Sequence, residues 1–234
     1  MSFSIWDHLD ELRARLLKML AVIFVMTLAA FWASDWMLVW LLKPAPLNPR
    51  TLTSLQPAGV FLQSMRLALI SGVVLSLPVV LSQVWGFISP GLTVAERKVM
   101  MISLYIGTLL FSGGVFFAYY GVVPKALQFF WSYSLHLGVQ PAWTIDAYLN
   151  FILMFLLSFG IAFELPLVLL LLIRFGVLKR EWMIEKRPFA IVVIAILAGA
   201  LTPPDVVSQL MMGIPLWILF ELSLFVSRWF LPNP

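Results

Sequence analysis

Long stretches without charged residues are the feature that most constrains how this chain folds. A helix needs about 20 apolar residues to cross a bilayer, because each residue advances it by about 1.5 Å. Six apolar stretches are candidate spans: 19–42, 67–89, 99–123, 149–173, 188–202 and 206–227. Only 11% of the 234 residues are charged, whereas soluble domains carry about 25%. The sequence therefore predicts an all-α polytopic membrane protein with six transmembrane helices in a single integral membrane domain, residues 1–234.

The last two spans are the shortest. As a helix, residues 188–202 would cover about 22 Å, which is less than the roughly 30 Å of the hydrocarbon core. We therefore expect short fifth and sixth helices, with the lipid bilayer thinned locally around them.

The basic residues predict the orientation in the membrane. Of the 15 Lys and Arg residues, eleven lie on the side that holds both chain ends, and four lie opposite: Lys43, Arg50, Arg66 and Lys125. Cytoplasmic loops carry the excess of Lys and Arg, so both termini are predicted to lie in the cytoplasm. The basic residues are scattered between spans rather than gathered on one soluble face, which argues against a nucleic-acid partner.

The outer side is predicted to carry a helix and an ordered cap. The stretch 126–145 is apolar enough for a seventh span, but only Lys125 and Asp146 separate it from its neighbours, so we expect an outer helix at the membrane interface. Proline favours rigid, extended backbone. The first outer loop contains four prolines, Pro44, Pro46, Pro49 and Pro57. This loop is therefore predicted to form a structured outer cap.

Glu164 and Glu221 are carboxylates inside predicted spans, and Pro78 and Pro166 are prolines inside predicted spans. Carboxylates within a membrane are candidates for proton or ion relays, so a proton-coupled small-solute secondary transporter that uses Glu164 is an alternative function. For Glu221 the simpler interpretation is an interfacial residue near the cytoplasmic end. Pro78 and Pro166 predict helix kinks, and the kink at Pro166 frees backbone groups that open a polar notch beside Glu164.

Short motifs predict helix starts rather than catalysis. Three pairs fit the capping box, namely Ser4 with Asp7, Thr93 with Glu96, and Thr202 with Asp205,. For Asp205 both this structural role and a mechanistic role stay open. The sequence contains no HExxH, GxSxG, P-loop or GxGxxG motif and no cysteine,. We therefore predict that the chain is not an enzyme and needs no metal and no cofactor.

Several stretches, in order along the chain, resemble the TatC family of the twin-arginine protein translocase. They are "HLDELRARL" (8–16), "SQVWGFISPGLTVAER" (82–97), "GGVFFAYYGVVP" (113–124), "FGIAFELP" (159–166), and "LTPPDVVSQ" with "PLWILFE" (201–221). The resemblance implies a receptor in the bacterial inner membrane that binds signal peptides bearing two consecutive arginines. It further implies assembly with the single-span proteins TatA and TatB, self-association in the receptor complex, and export of folded proteins driven by the proton-motive force.

The resemblance also implies which residues do this work. A carboxylate meets a guanidinium with two parallel hydrogen bonds, and the acidic partners of the two arginines are implied to be Glu11 and Glu96. Further signal-peptide contacts are implied at His8, Leu9, Arg13 and Phe87. Contacts with a TatA or TatB helix are implied at Glu164, Thr202 and Gln209. Ser82 and Gly59 depart from the family pattern, since many relatives have a tyrosine and an acidic residue there.

Overall fold

The computed structural model describes residues 5–44, 52–88 and 94–230, without the side chains of 5–8, 85, 88, 94–98 and 230. These residues form helices α1 Ile5–Trp32, α2 Ser34–Leu42, α3 Gly59–Ile88, α4 Val94–Phe117, α5 Val123–His136, α6 Ile145–Phe163, α7 Leu165–Arg174, α8 Arg180–Glu185, α9 Arg187–Leu201 and α10 Val206–Phe230. A π-helical turn, Ala118–Val122, joins α4 to α5. Within these ranges, extended pairing is limited to an isolated bridge between Thr53 and Thr144.

The predicted all-α membrane fold is confirmed. Five helical segments are long and apolar enough to cross a membrane: Leu9–Trp32, Gly59–Val84, Val99–His136, Ile145–Arg174 and Val206–Trp229. The sixth apolar helix is α9, which has 15 residues and is therefore about 22 Å long. The predicted short fifth helix is thus correct.

The sixth helix, however, is not short. α10 contains 25 residues, a length of about 37 Å that exceeds the hydrocarbon core. The apolar stretch that predicted this helix ended before Arg228, but the helix continues through it to Phe230. An arginine continues a helix readily because its long unbranched chain loses little freedom there, and this guanidinium lies over the Phe225 ring, 5.5 Å from its centroid.

Two other predicted boundaries also change. The first span, predicted at 19–42, is interrupted at Ala33, where α1 ends and α2 begins with the Ser34 hydroxyl donating to the Phe31 carbonyl at 2.7 Å. The outer helix predicted over 126–145 is a direct continuation of the third span, because α5 follows the π-helical turn without a loop. α5 ends at His136, just before Gly138, whose positive φ of 74° suits glycine,.

The chain divides into two compact units, Met1–Leu42 with Ser54–Thr108, and Lys43–Thr53 with Leu109–Pro234. In the first unit, α1 packs along α3. A Cβ atom at Gly72 would overlap the backbone of Thr27, so glycine allows the two helices to approach closely. Near the ends of this contact, the rings of Phe31 and Phe61 meet edge to face, with centroids 6.3 Å apart. The predicted single domain over residues 1–234 stays a prediction.

The core of the second unit lies on α6. Its side chains Leu149, Ile152, Phe155 and Phe159 are fully buried. A Cβ atom at Gly114 of α4 would overlap the carbonyl oxygen of Phe159. The absence of a side chain at this glycine therefore sets how closely α4 lies against α6.

The predicted outer cap is ordered where the structure describes it. The Thr53 amide donates to the Trp143 carbonyl at 3.2 Å, and the Ile145 amide donates to the Thr53 carbonyl at 3.0 Å. The Trp143 ring lies between those of Trp131 and Tyr148, with centroid distances of 5.5 and 6.5 Å. Of the four loop prolines, Pro46 and Pro49 lie outside the described residues.

Candidate functional site

The first candidate site centres on an ion pair near the beginning of α1. Glu11 and Arg15 are one turn apart, so their side chains share a helix face. The Nε and Nη2 atoms of Arg15 donate to Oε1 of Glu11 at 3.0 and 2.7 Å. Both side chains are partly buried, with exposed fractions of 24% for Arg15 and 35% for Glu11. The carboxylate of Glu11 therefore already accepts a guanidinium group in this geometry.

Arg15 also connects this pair to α3. Its Nη1 atom lies 3.4 Å from the Gln83 carbonyl oxygen and 3.5 Å from the Gln83 Oε1 atom. A Cβ atom at Gly86 would overlap the same guanidinium, so glycine makes room for it. Phe87 follows directly and is partly buried. The structure thus gathers Glu11, Arg15 and the end of α3 at one place.

The other residues predicted to contact the signal peptide do not join this cluster around Glu11 and Arg15 in the described structure. Leu9 is 50% exposed, and Arg13 is exposed about 200° around the helix from Glu11. Arg15, rather than Arg13, is therefore the residue that orients the Glu11 carboxylate. The side chains of His8 and Glu96 lie outside the described residues, although the backbone of Glu96 belongs to the first turn of α4. The meeting of Glu11 with Glu96 stays a prediction.

No sequence pattern predicts the contact between Arg15 and Gln83. Gln83 belongs to the stretch "SQVWGFISPGLTVAER" that carried the family resemblance. Nothing in the chain's local pattern indicates that this glutamine accepts from an arginine 68 positions earlier, because that pairing depends on how α1 packs against α3.

The second candidate site surrounds the carboxyl end of α9. The last carbonyl groups of a helix have no partner within the helix. Here the Thr202 hydroxyl donates to the Ala198 carbonyl at 2.8 Å, and the Ser158 hydroxyl donates to the Leu201 carbonyl at 2.7 Å. Side chains of neighbouring residues thus satisfy the end of this short helix.

Thr202 and Gln209 are therefore engaged within the chain. Thr202 is only 3% exposed, so a direct contact between its hydroxyl and another protein would require this end of α9 to open. The Nε2 atom of Gln209 donates to the Ala195 carbonyl at 2.9 Å and lies 3.3 Å from the position of a Cβ on Gly199. Gln209 is partly exposed, so it is the better placed of the two to meet a partner.

Glu164 lies at a break between two helices. α6 ends at Phe163 and α7 begins at Leu165, with the buried Pro166 in its first turn. The Glu164 side chain is partly exposed. The helix breaks beside Pro166, where a kink was predicted, whereas α3 runs from Gly59 to Ile88 as one helix that includes Pro78. The kink at Pro78 stays a prediction.

Asp205 caps α10, and the capping box predicted for this helix is corrected. The Ser208 amide donates to the Asp205 Oδ1 atom at 2.7 Å, which is the contact expected of an N-cap residue. Thr202, predicted as the cap, instead bonds back to α9. The reason is the pair Pro203 and Pro204. Pro203 keeps the preceding Thr202 in an extended conformation, and neither proline has an amide hydrogen, so the helix begins only at Val206,.

Glu221 is more than an interfacial residue. Its Oε2 atom accepts from Arg187 Nη2 at 2.8 Å, and this ion pair joins the beginning of α9 to the second half of α10. Among the described residues, no group of three or more His, Cys, Asp or Glu side chains is arranged to hold a metal ion.

The comparisons with known proteins agree on one family. A family model described as "Sec-independent protein translocase protein (TatC)" matches residues 7–215. TatC of Carboxydothermus hydrogenoformans is 34% identical over 231 residues, spanning 98% of this chain and 95% of that protein. TatC of Escherichia coli is 36% identical over 229 residues, spanning 95% and 87%.

Solved structures give the same result. A crystal structure described as "Twin Arginine Translocase Receptor- TatC in DDM" matches with a TM-score of 0.83 at 33% identity, covering 94% of this chain and 99% of that one. A second, described as "Twin Arginine Translocase Receptor- TatC", matches with a TM-score of 0.80 at 32% identity, covering 95% and 98%. This chain therefore belongs to the TatC family of Sec-independent protein translocase proteins.

Proposed function

We propose that this chain is the receptor that binds twin-arginine signal peptides at the cytoplasmic face of the bacterial inner membrane. The solved structures that it resembles are described as twin-arginine translocase receptors. The observation that carries the proposal is the Glu11 carboxylate accepting two N–H groups from the Arg15 guanidinium. A site that holds one guanidinium in this way has the chemistry to hold another.

In this mechanism Glu11 and Glu96 each accept one guanidinium group of the peptide. Hydrogen bonds to charged groups contribute about 1.5–3 kcal/mol each, and the lower effective dielectric at the membrane interface strengthens them relative to bulk water. Arg15 positions Glu11 against α3. Leu9 and Phe87 pack beside the apolar stretch of the peptide, while His8 and Arg13 contact its polar flank.

The test is peptide binding to the purified full-length chain in nanodiscs. Because glutamine keeps the size of glutamate but loses its charge, Glu11→Gln or Glu96→Gln should lower affinity for a twin-arginine peptide about 10- to 100-fold. The same substitutions should change affinity for the twin-lysine analogue much less, because lysine cannot form the two-pronged bond. Fluorescence anisotropy of labelled peptides measures both.

Asp10→Asn is the matched control, since Asp10 precedes Glu11 on α1 and is exposed. It removes the same charge from the same turn and should leave binding unchanged. Equal losses for Asp10→Asn and Glu11→Gln, or equal losses for both peptides, would show that general electrostatics rather than a specific carboxylate binds the signal.

We further propose that the chain assembles with TatA and TatB, and with further copies of itself, to export folded proteins by means of the proton-motive force. Glu164 and Gln209 are the proposed contacts for a TatA or TatB helix, since both are partly exposed. Thr202 contributes by holding the end of α9 in place. Glu164 would offer a hydrogen bond to a polar group of the partner helix.

Cross-linking tests this assembly. A photoreactive residue at position 209 should form adducts with TatA or TatB in an active complex, and one at position 202 should form fewer, because Thr202 is buried. Strong adducts at position 202 with none at 209 would contradict the proposed arrangement.

The family is a protein translocase family, so the small-solute carrier that uses Glu164 has no independent support. The receptor and the carrier predict different results in liposomes that contain only the purified chain. A receptor binds a twin-arginine peptide saturably and takes up no solute, whereas a proton-coupled carrier accumulates solute when a pH gradient is imposed.

A further inference from the structure

A cavity lies where the beginning of α9 meets the end of α10. Its volume is about 430 Å³, within the roughly 300–1,000 Å³ typical of small-ligand pockets. Three arginines, Arg180, Arg187 and Arg228, line it together with a single carboxylate, Glu221. Most of the remaining walls are apolar side chains such as Trp217. The cavity therefore combines an excess of positive charge with apolar walls.

Within the cavity lining, the positive charge is only partly neutralised. Arg187 pairs with Glu221, yet its Nε atom is buried and has no hydrogen-bond partner in the described part of the chain. Arg180 Nε donates to the Leu224 carbonyl at 3.4 Å, and Arg228 lies over an aromatic ring. Neither of these two guanidinium groups pairs with a carboxylate of the described residues. An anion would satisfy them.

An apolar stripe leads away from this cavity along α10. Its members recur every three or four residues, so they share one face of the helix. They are 48–79% exposed: Ile214, Ile218, Leu222, Phe225 and Trp229. Ile218, Leu222 and Phe225 also line the cavity. An anion bound by the arginines would thus have an apolar surface beside it.

We propose that this cavity binds the headgroup of an anionic phospholipid of the cytoplasmic leaflet, with the acyl chains along the α10 stripe. The excess of cations complements the negative phosphodiester, and basic pockets between transmembrane helices on the cytoplasmic side recognise anionic headgroups. The exposed stripe favours a lipid over a free phosphate, because only the lipid has an apolar portion to place there. The site uses none of the residues proposed for signal-peptide binding.

The test is native mass spectrometry of the purified full-length chain titrated with phosphatidylglycerol, phosphatidylcholine or glycerol 3-phosphate. Phosphatidylglycerol should bind the chain more tightly than either of the other two. Arg180→Gln and Arg228→Gln should each weaken its binding about fivefold, since one cation near an anionic surface contributes about 1 kcal/mol. Arg187 is left intact because its loss would leave Glu221 without its partner.

Arg174→Gln is the matched control, because Arg174 is exposed at the end of α7 and does not line the cavity. It should leave phosphatidylglycerol affinity unchanged, and Arg228→Lys should keep most of it. Thermal unfolding without lipid verifies that each variant is folded. Equal binding of phosphatidylcholine, equal binding of glycerol 3-phosphate, or an equal loss in Arg174→Gln would overturn the proposal.

Discussion

At the residue scale, the contacts of each charged side chain determine its role. Arg13 and Arg15 are both arginines in the same stretch of α1. Arg15 contacts Glu11 and Gln83, whereas Arg13 is exposed. Because residues two apart on a helix point in different directions, only one of them can hold the proposed recognition carboxylate against α3.

Asp205 provides a test of a residue's structural role. Its carboxylate accepts the Ser208 amide at the start of α10, and losing an N-cap costs about 1 kcal/mol. We expect Asp205→Ala to lower the free energy of unfolding by about this amount, measured by denaturant unfolding in detergent.

Asp205→Asn is the control variant, because asparagine caps a helix about as well as aspartate. It should retain most of the stability that Asp205→Ala loses. If both variants lose the same stability, the charge of Asp205 rather than its capping bond stabilises the helix. If Asp205→Asn remains stable but abolishes transport, Asp205 has a mechanistic role.

At the element scale, small residues control how closely the helices pack. Without a hydrophobic driving force between helices in lipid, association relies on close packing, which small residues allow. Gly72 brings α3 against α1, and Gly114 brings α4 against α6. Polar side chains also join helices. Ser158 of α6 donates to the Leu201 carbonyl at the end of α9.

Two adjacent glycines of α4 allow a test of whether a missing side chain sets the distance between α4 and α6. A Cβ atom at Gly114 would overlap the carbonyl oxygen of Phe159, whereas one at Gly113 would meet nothing within 4 Å. Gly114→Ala should therefore destabilise the protein by about 1–3 kcal/mol through overpacking. Thermal unfolding in detergent measures the effect.

Gly113→Ala should be neutral or stabilising by up to about 1 kcal/mol, because alanine favours the helix more than glycine does. The pair carries the same chemical change at neighbouring positions. Equal destabilisation of both variants would mean that α4 needs glycine for flexibility rather than for its contact with α6.

At the scale of the whole molecule, the proposed receptor function depends on which side of the membrane each loop lies. The proposed receptor needs its signal site and both termini in the cytoplasm. The distribution of Lys and Arg predicts this arrangement. The chain contains no cysteine, so single introduced cysteines can report it directly.

Val177→Cys and Val139→Cys are suitable reporters, because both positions are exposed outside the helices. A membrane-impermeant thiol reagent should label position 139 in spheroplasts and position 177 only in inverted vesicles. Labelling of both from one side, or the reverse pattern, would contradict the predicted orientation.

Much of the fold follows from the sequence, but less of the site does. The apolar stretches predicted six helical spans, and the short α9 was among them. The apolar stretch predicts that α10 ends before Arg228, but the helix continues to Phe230. The capping-box pattern predicts Thr202 as the cap of α10, but the cap is Asp205. Both errors concern helix ends, where a single local contact decides where the helix begins or stops.

The sequence by itself determined that the chain is a bundle of membrane-spanning helices, because partitioning into lipid depends on the composition of each stretch alone. Only the tertiary structure decided which charges meet. Arg15 reaches Gln83 across 68 positions, and Arg187 reaches Glu221 across 34. Such pairs form when packed helices bring distant side chains within hydrogen-bonding distance, and no local pattern encodes that approach.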